Sequence, residues 1–181
     1  GFAGGQSGHF RGVGFGNGVF VAVGHGGDNQ NGIILYSTDK GVTWKSPDVL
    51  PADAGLLNVG YGPFGFVAVG WGGRRVRSTD GRVWTDDTRS LTNENVTGVV
   101  YGDGLYVAAS NAGILTSPDG AEPWTYYPYP NGSGLSQVAY MDGKFYVAKG
   151  GVLWSTVDFV SYTKLATAPA GYRAIVSGKL N

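Results

Sequence analysis

The chain has 181 residues (18.9 kDa), of which 33 are glycine, only two are glutamate and none is cysteine. Glycine at about 18%, where roughly 7% is usual, together with so few strong helix formers, excludes a helical bundle, and the lack of an every-third spacing excludes a collagen-like chain. Thirteen basic residues balance thirteen acidic ones, so there is no basic excess to bind nucleic acid, no apolar run approaches the length that spans a bilayer, and disulfides and cysteine-based zinc sites are ruled out.

Read in chain order, the sequence repeats. Gly1 stands where an initiator methionine would, which points to a processed start, a tag scar or an excised domain. A first strand, Arg11–Phe15, meets the turn Gly16-Asn17-Gly18 and a second strand, Phe20-Val21-Ala22-Val23-Gly24. Asn-Gly between apolar runs is a hairpin signal. The enlarged polar loop His25–Gly32 follows, then a third strand, then Ser37-Thr38-Asp39-Lys40-Gly41-Val42-Thr43-Trp44. The second repeat has Asn58–Tyr61, the turn Gly62-Pro63-Phe64-Gly65, Phe66-Val67-Ala68-Val69-Gly70, and Ser78-Thr79-Asp80-Gly81-Arg82-Val83-Trp84. The third has Gly98–Tyr101, Gly102-Asp103-Gly104, Tyr106-Val107-Ala108-Ala109, and Ser117-Pro118-Asp119-Gly120-Ala121-Glu122-Pro123-Trp124. The fourth has Gln137–Tyr140, Asp142-Gly143, Tyr146-Val147-Ala148-Lys149-Gly150, and a decayed second cluster, Ser155 to Tyr162. Val21, Val67, Val107 and Val147 align the four.

Each unit reads as a four-stranded antiparallel meander of about 40 residues, the size of a propeller blade. The predicted fold is all-β: one β-propeller domain over 1–181, with blades at 11–55, 56–95, 96–134 and 135–170. An extra strand in 171–181, around Arg173-Ala174-Ile175-Val176, opens an incomplete fifth blade. Its unpaired edge invites a homo-oligomer or a larger assembly.

The pattern Ser-x-Asp-x-Gly-x-x-Trp at Ser37–Trp44 resembles the Asp-box, or BNR repeat, of sialidase-like β-propellers. The copies at 78–84 and 117–124 are similar, and the copy at 155–162 departs from the pattern in lacking the turn glycine and carrying Tyr162 in place of tryptophan. The residues themselves suggest structural work. Asp39, Asp80 and Asp119 are placed to accept backbone N–H bonds in tight turns, Ser37, Ser78 and Ser117 to brace them, Gly41 to permit the reversal, and Trp44, Trp84 and Trp124 to pack into the interior against a neighbouring sheet.

In a meander these turns share one face of the wheel with the first hairpin turns, while the loops after the second strand and the links between blades lie on the other. The resemblance implies that this other face takes the ligand. Its candidate binding residues are His25, Asp28 and Asn29 in the first blade, Trp71, Arg74 and Arg75 in the second, and Tyr126 and Tyr127 in the third. Aromatic plates beside arginine and amide donors suit a sugar or an acidic glycan.

No catalytic constellation is legible. A hydrolase of the resembling family would have six blades, or about 240 residues at this repeat length, and an arginine triad drawn from several blades. Here Arg74, Arg75, Arg77 and Arg82 all fall in the second. Glu94 and Glu122 lie outside nucleophile positions. Asp28, Asp86 and Asp87 are on the ligand face, but nothing pairs two carboxyls across a cleft. His9 and His25 have no nucleophile elbow to serve, and no P-loop, HExxH helix or dinucleotide fingerprint is present. The sequence therefore points to a non-catalytic recognition or scaffolding propeller with no cofactor and no metal, directed at a glycan or surface receptor, in an extracellular or virion setting such as a phage tail. The alternatives are a fragment of a larger sialidase-like glycoside hydrolase and a purely structural assembly subunit.

Overall fold

Four tight hairpins set the architecture. Asn17-Gly18, Asp103-Gly104 and Asp142-Gly143 all adopt positive φ at both turn positions, the geometry whose twist matches that of the flanking strands. In the second hairpin Pro63-Phe64 makes the turn and Gly65, at φ 112°, receives it. The computed structural model describes residues 8–27, 31–50, 55–88, 94–130, 134 and 136–167. Sheet 1 contains β1 (Gly8–Gly16), β2 (Val19–Gly26) and β3 (Gly32–Ser37). Sheet 2 contains β4 (Leu56–Gly62), β5 (Gly65–Gly70), β6 (Arg75–Ser78) and β7 (Thr85–Asp86). Sheet 3 contains β8 (Val96–Gly102), β9 (Leu105–Ser110), β10 (Gly113–Ser117) and β11 (Thr125–Pro128). Sheet 4 contains β12 (Ser136–Met141), β13 (Lys144–Lys149), β14 (Val152–Thr156) and β15 (Thr163–Thr167). Every sheet is an antiparallel meander in chain order. In sheet 1 a single bridge, Tyr36 with Lys45, stands where the other sheets have a fourth strand. The fold is an all-β propeller. The expected fifth-blade strand at 171–181 lies outside the described residues, and no helix among them is long and apolar enough to cross a membrane.

The sheets stack face on face. Each has a forward face toward the next sheet and a backward face toward the previous one. Forward residues Val21, Val23, Ile34 and Tyr36 of sheet 1 meet backward residues Val59, Phe66, Ala68, Val76 and Trp84 of sheet 2. Val67 and Val69 then meet Val99, Tyr106, Ala108, Leu115 and Trp124, and Val107, Ala109 and Ile114 meet Val138, Phe145, Val147 and Phe159. Burying a side chain of this size contributes about 1.5–3 kcal/mol, so these three interfaces hold the stack together. Where the first strands approach, Gly16, Gly62 and Gly102 each seat an aromatic ring of the next sheet. A Cβ there would fall 2.0, 2.6 and 2.2 Å from Tyr61, Tyr101 and Tyr140. Buried hydrogen bonds reinforce the joints: Tyr106 Oη donates to Gly65 O at 2.7 Å, Ser136 Oγ to Ser110 O at 2.6 Å and Gln137 Nε2 to Thr97 O at 2.7 Å. Among the described residues no hydrophobic cluster joins sheet 4 to sheet 1.

Two sequence expectations are corrected. The fourth repeat is out of register by one residue. Pairing shows that Phe20, Phe66, Tyr106 and Phe145 are equivalent, so Val147 matches Ala108 rather than Val107, and a one-residue slip exchanges the two faces of a strand. The same shift makes Thr156, not Ser155, the counterpart of Ser78, with Phe159 at the glycine position. Phe159 holds φ 60° there and sends its ring into the joint between sheets 3 and 4, 4.9 Å from Phe145 and 5.5 Å from Tyr127. The second correction concerns Trp44. It is 39% exposed, whereas Trp84 and Trp124 are 2% and 3% exposed. Trp84 and Trp124 pack backward onto the preceding sheet, and among the described residues no sheet lies behind Trp44.

Candidate functional site

The Ser-x-Asp turns are self-contained. Ser37 Oγ donates to Asp39 and accepts from Gly41 N at 2.9 Å, while Asp39 accepts from both Thr43 N and Thr43 Oγ1. Ser78 and Asp80 brace Gly81, Arg82 and Val83 in the same way, and Ser117 and Asp119 brace Gly120 and Ala121. Trp44 and Trp84 each donate Nε1 to the carbonyl of the turn glycine at 3.0 Å. The Thr43 hydroxyl and N–H, with Ser37, hold the Asp39 carboxyl down to about 2. At Asp80 burial pulls the other way, and the Arg82 and Val83 N–H groups outweigh it. Both oxygens of Asp39, and Oδ1 of Asp80 and of Asp119, accept hydrogen bonds within their own turns, so these aspartates are occupied structurally.

On the opposite face the structure disperses the residues that the sequence nominated. His25 is buried. Its Nε2 accepts from Arg11 Nε at 3.0 Å, its Nδ1 lies 2.9 Å from Gly26 O, and its ring packs 4.6 Å from Trp71. Trp71 opens a single 3-10 turn, Trp71–Gly73, and covers Gly55, where a Cβ would fall 2.4 Å from the indole. Arg74 is buried in an ion pair with Asp86 at 3.4 Å. Arg75 lies in the joint between sheets 2 and 3, paired with Glu122, donating to Gly73 O and sitting 5.8 Å from the Trp124 ring centre. Asp87 pairs with Arg77. Tyr126 and Tyr127, adjacent on β11, point to opposite faces, Tyr126 onto the joint with sheet 2 and Tyr127 onto the joint with sheet 4. Asp28 and Asn29 lie outside the described residues. His25 and Trp71 are thus together, while Arg75, Tyr126 and Tyr127 serve the joints between sheets and Arg74 pairs within sheet 2.

A cavity opens instead between sheets 3 and 4, on the same face of the wheel. It measures about 240 Å³ and is lined by Tyr129, Pro130, Val147, Lys149, Gly150, Val152, Trp154 and Tyr162. β14 carries Trp154 into it beside a register shift against β15, a local bulge of the kind that re-aims a side chain. The link after β11 supplies Tyr129, and Lys149 Nζ lies 4.3 Å from the Tyr129 ring centre. Tyr129 and Tyr162 meet edge-on at 6.3 Å, and among the described residues neither buried hydroxyl makes a well-formed hydrogen bond, the Ser136 hydroxyl lying nearby as the nearest polar group to Tyr129. The Ser136 hydroxyl beside Tyr129 donates instead to Ser110 O. Burial pushes the Tyr162 phenol up to about 12, raises Tyr129 further and lowers Lys149. A buried hydroxyl without a partner costs about 1–3 kcal/mol, so the cavity has unmet hydrogen-bonding capacity on aromatic walls, which is the make-up of a ligand site. The sequence reading passed over Trp154. The available signal was that Trp154 is a tryptophan at the position that holds Leu35, Val76 and Leu115 in the other units, visible only with the fourth repeat in its correct register.

Among the described residues no group of three or more His, Asp or Glu side chains could hold a metal ion. No protein-family model matches the sequence, and no curated protein matches it. Solved structures do match in fold. YCF48 from Cyanidioschyzon merolae superposes with a TM-score of 0.67 at 16% identity, over 93% of this chain and 59% of its own. A YCF48 structure bound to D1 peptide gives 0.68 at 13%, over 88% and 55%. Virginiamycin B lyase from Staphylococcus aureus gives 0.72 at 13%, over 89% and 56%. The chain is a β-propeller like these, and it spans a little over half of their length.

Proposed function

We propose that this propeller is a non-catalytic recognition module that holds a sugar ring in the cavity between sheets 3 and 4. The observation that carries this reading is the pair of buried, unpartnered hydroxyls on Tyr129 and Tyr162 beside the Trp154 indole. A pyranose offers an apolar face to stack on an indole and hydroxyls to pair with two phenols. Lys149 at the wall favours an anionic sugar. Among the described residues no carboxylate lines the cavity, and Asp86 and Asp87 are engaged by Arg74 and Arg77. This favours binding over the two-carboxyl hydrolysis of a larger sialidase-like enzyme. On this reading the Ser-x-Asp turns are Asp-boxes, and the setting is a glycan-directed exported or virion protein such as a phage tail part.

Calorimetry and a glycan array on the wild type and on Trp154→Ala test it. Saccharide binding weakened at least about tenfold by Trp154→Ala, a loss of ~1.4 kcal/mol or more, is the expected result. Tyr129→Phe should keep the fold and weaken binding. Equal binding by wild type and Trp154→Ala, or no saccharide binding at all, refutes the proposal. Binding of a peptide alone would refute the sugar reading in favour of a peptide ligand, as in the structure of YCF48 bound to D1 peptide.

A further inference from the structure

We infer that Lys149 is a reactive amine that captures an aldehyde in the cavity between sheets 3 and 4 as a reversible imine, whether or not a sugar also binds there. The repeat shows that this lysine has been given room. Pairing places Lys149 where the other units have Gly24, Gly70 and Ser110. A Cβ at Gly24 would fall 2.0 Å from the carbonyl oxygen of His9, and one at Gly70 would fall 2.1 Å from that of Gly55. Sheets 1 and 2 therefore admit no side chain at this position. Sheet 3 admits only the small Ser110, buried and bonded to Gly113 O. In sheet 4 the joint opens far enough to take a four-carbon stem.

The stem is held on both sides. A Cβ at Gly134 would lie 3.8 Å from both Cγ and Cε of Lys149, so the link before β12 runs along it, and the Tyr129 ring faces Nζ at 4.3 Å. Lys149 is the one half-buried lysine among the described residues, whereas Lys40, Lys45, Lys144 and Lys164 are exposed. The side chains that line the cavity with it are aromatic or apolar. Burial in such surroundings disfavours the ammonium and lowers Lys149, which enlarges the share of nucleophilic free amine at neutral pH. The titratable groups beside it in the lining, Tyr129 and Tyr162, are both pushed up by burial and stay protonated there. A neutral phenol can donate the proton that the loss of water requires.

The condensation balances without an oxidant or reductant. The Lys149 nitrogen attacks the carbonyl carbon, one of its protons passes to the carbonyl oxygen, and a carbinolamine forms. A phenol then protonates the departing hydroxyl, water leaves, and the last proton on nitrogen restores the phenol as the C=N bond closes. Water reverses the sequence. A cavity of about 240 Å³ with Trp154 in its wall has room for benzaldehyde or for the open chain of a hexose.

Reductive trapping tests the assignment on the wild-type chain, with its own lysines as controls. The chain is incubated at neutral pH with benzaldehyde and cyanoborohydride, which reduces the imine to a stable amine, and labelling is read lysine by lysine by mass spectrometry. Lys149 should label at least about tenfold faster than Lys40, Lys45, Lys144 or Lys164, and its rate should reach half-maximum at a lower pH than theirs. In urea the preference should vanish. Labelling at Lys149 no faster than at the exposed lysines overturns the inference, as does a preference that survives unfolding, since it would then come from local sequence rather than from the cavity. Tyr162→Phe should slow labelling at Lys149 without moving its pH midpoint, and a variant that folds and labels at the wild-type rate refutes the phenol's part. A reducing hexose and its methyl glycoside, which has no carbonyl to open, identify the source of the aldehyde. Labelling by the hexose alone of this pair assigns it to a sugar, and labelling by benzaldehyde with neither assigns it to a small aldehyde. Saccharide binding is read by calorimetry on Trp154→Ala, so either proposal can fail without the other.

Discussion

Trp44 and Trp84 each follow their turn glycine by three residues and make the same indole hydrogen bond, at 3.0 Å, to its carbonyl. They differ in having a sheet behind them. Truncating each to alanine therefore isolates the free energy of packing one sheet on the next. Trp84 is 2% exposed and lies among Val21, Val23, Tyr36 and Phe66, with its ring 6.5 Å from that of Phe66. Trp44 is 39% exposed. A tryptophan buries up to about 250 Å², so the extra third or more of its surface covered at position 84 is on the order of 90 Å², or ~2 kcal/mol at 25 cal/mol per Å². The void left in a joint that cannot fully collapse raises the difference to about 3 kcal/mol. Trp84→Ala should thus cost ~4 kcal/mol in total, a factor of about a thousand in the folding constant, and Trp44→Ala about 1.

Urea unfolding followed by circular dichroism, with the slope unchanged between variants, gives both numbers. Equal losses from the two substitutions would show that the tryptophans stabilise their own turns rather than the joints, and the account of what holds the sheets together would be wrong.

Acid should act on the turns. The Asp39 carboxyl is held at about 2 in the fold against an ordinary 3.8, so its stabilisation is complete above that ordinary value and is lost as pH falls through the window between the two. Asp39→Asn should flatten the acid limb of a thermal stability profile there, and an unchanged limb counts against the hydrogen bonds. Gly104 and Gly120 separate backbone strain from crowding. Both sit near φ 79°, but a Cβ at Gly104 meets nothing, while one at Gly120 falls 2.6 Å from Val67. Gly104→Ala should cost ~1 kcal/mol and Gly120→Ala ~1–3 kcal/mol more, and similar urea midpoints would remove the claim that this turn presses on sheet 2. For the buried ion pair, Glu122→Gln strands Arg75 and should cost ~3–5 kcal/mol, whereas Arg75→Met/Glu122→Leu should recover most of that. Additive losses across that double-mutant cycle would mean that the two side chains do not act together.

The sheets were legible because turn chemistry and period-2 patterning recur at nearly constant spacing. Asp103-Gly104 and Asn17-Gly18 announce hairpins locally, without tertiary knowledge. The misreadings came where the decision is made at long range. Phe20, Phe66 and Tyr106 align by their neighbours, but in the fourth unit both Phe145 and Tyr146 are aromatic, and only pairing with Tyr140 selects Phe145. Arg75 looked like an exposed loop cation because its partner, Glu122, lies 47 residues away. Trp44 carries the full motif of Trp84, and no property of the motif records whether a sheet precedes it.

The departures from the repeat also explain why the cavity lies where it does. At the joint between sheets 1 and 2, Val21, Val23 and Ile34 meet Val59, Ala68 and Val76, with Tyr36, Phe66 and Trp84 completing the cluster and closing the gap. At the joint between sheets 3 and 4 the pattern changes in several places at once. Trp154 replaces a Leu or Val, Tyr162 replaces a tryptophan and Lys149 stands where Ser110 and Gly70 stand in the neighbouring units. Phe159 takes a left-handed turn position at a cost of about 1–2 kcal/mol. If stability alone governed this joint, the small aliphatic solution used elsewhere in the chain would serve, with no stranded hydroxyl and no strained phenylalanine. Trp124 Nε1 and Asn111 Oδ1 are also buried without a hydrogen-bond partner among the described residues, but here two such phenols combine with a left-handed phenylalanine and an open cavity, and that combination marks where packing has yielded to another requirement. Restoring the repeat there, with Trp154→Leu and Tyr162→Trp together, should raise the urea midpoint and abolish saccharide binding. A variant that gains stability and still binds the sugar would place the binding site elsewhere.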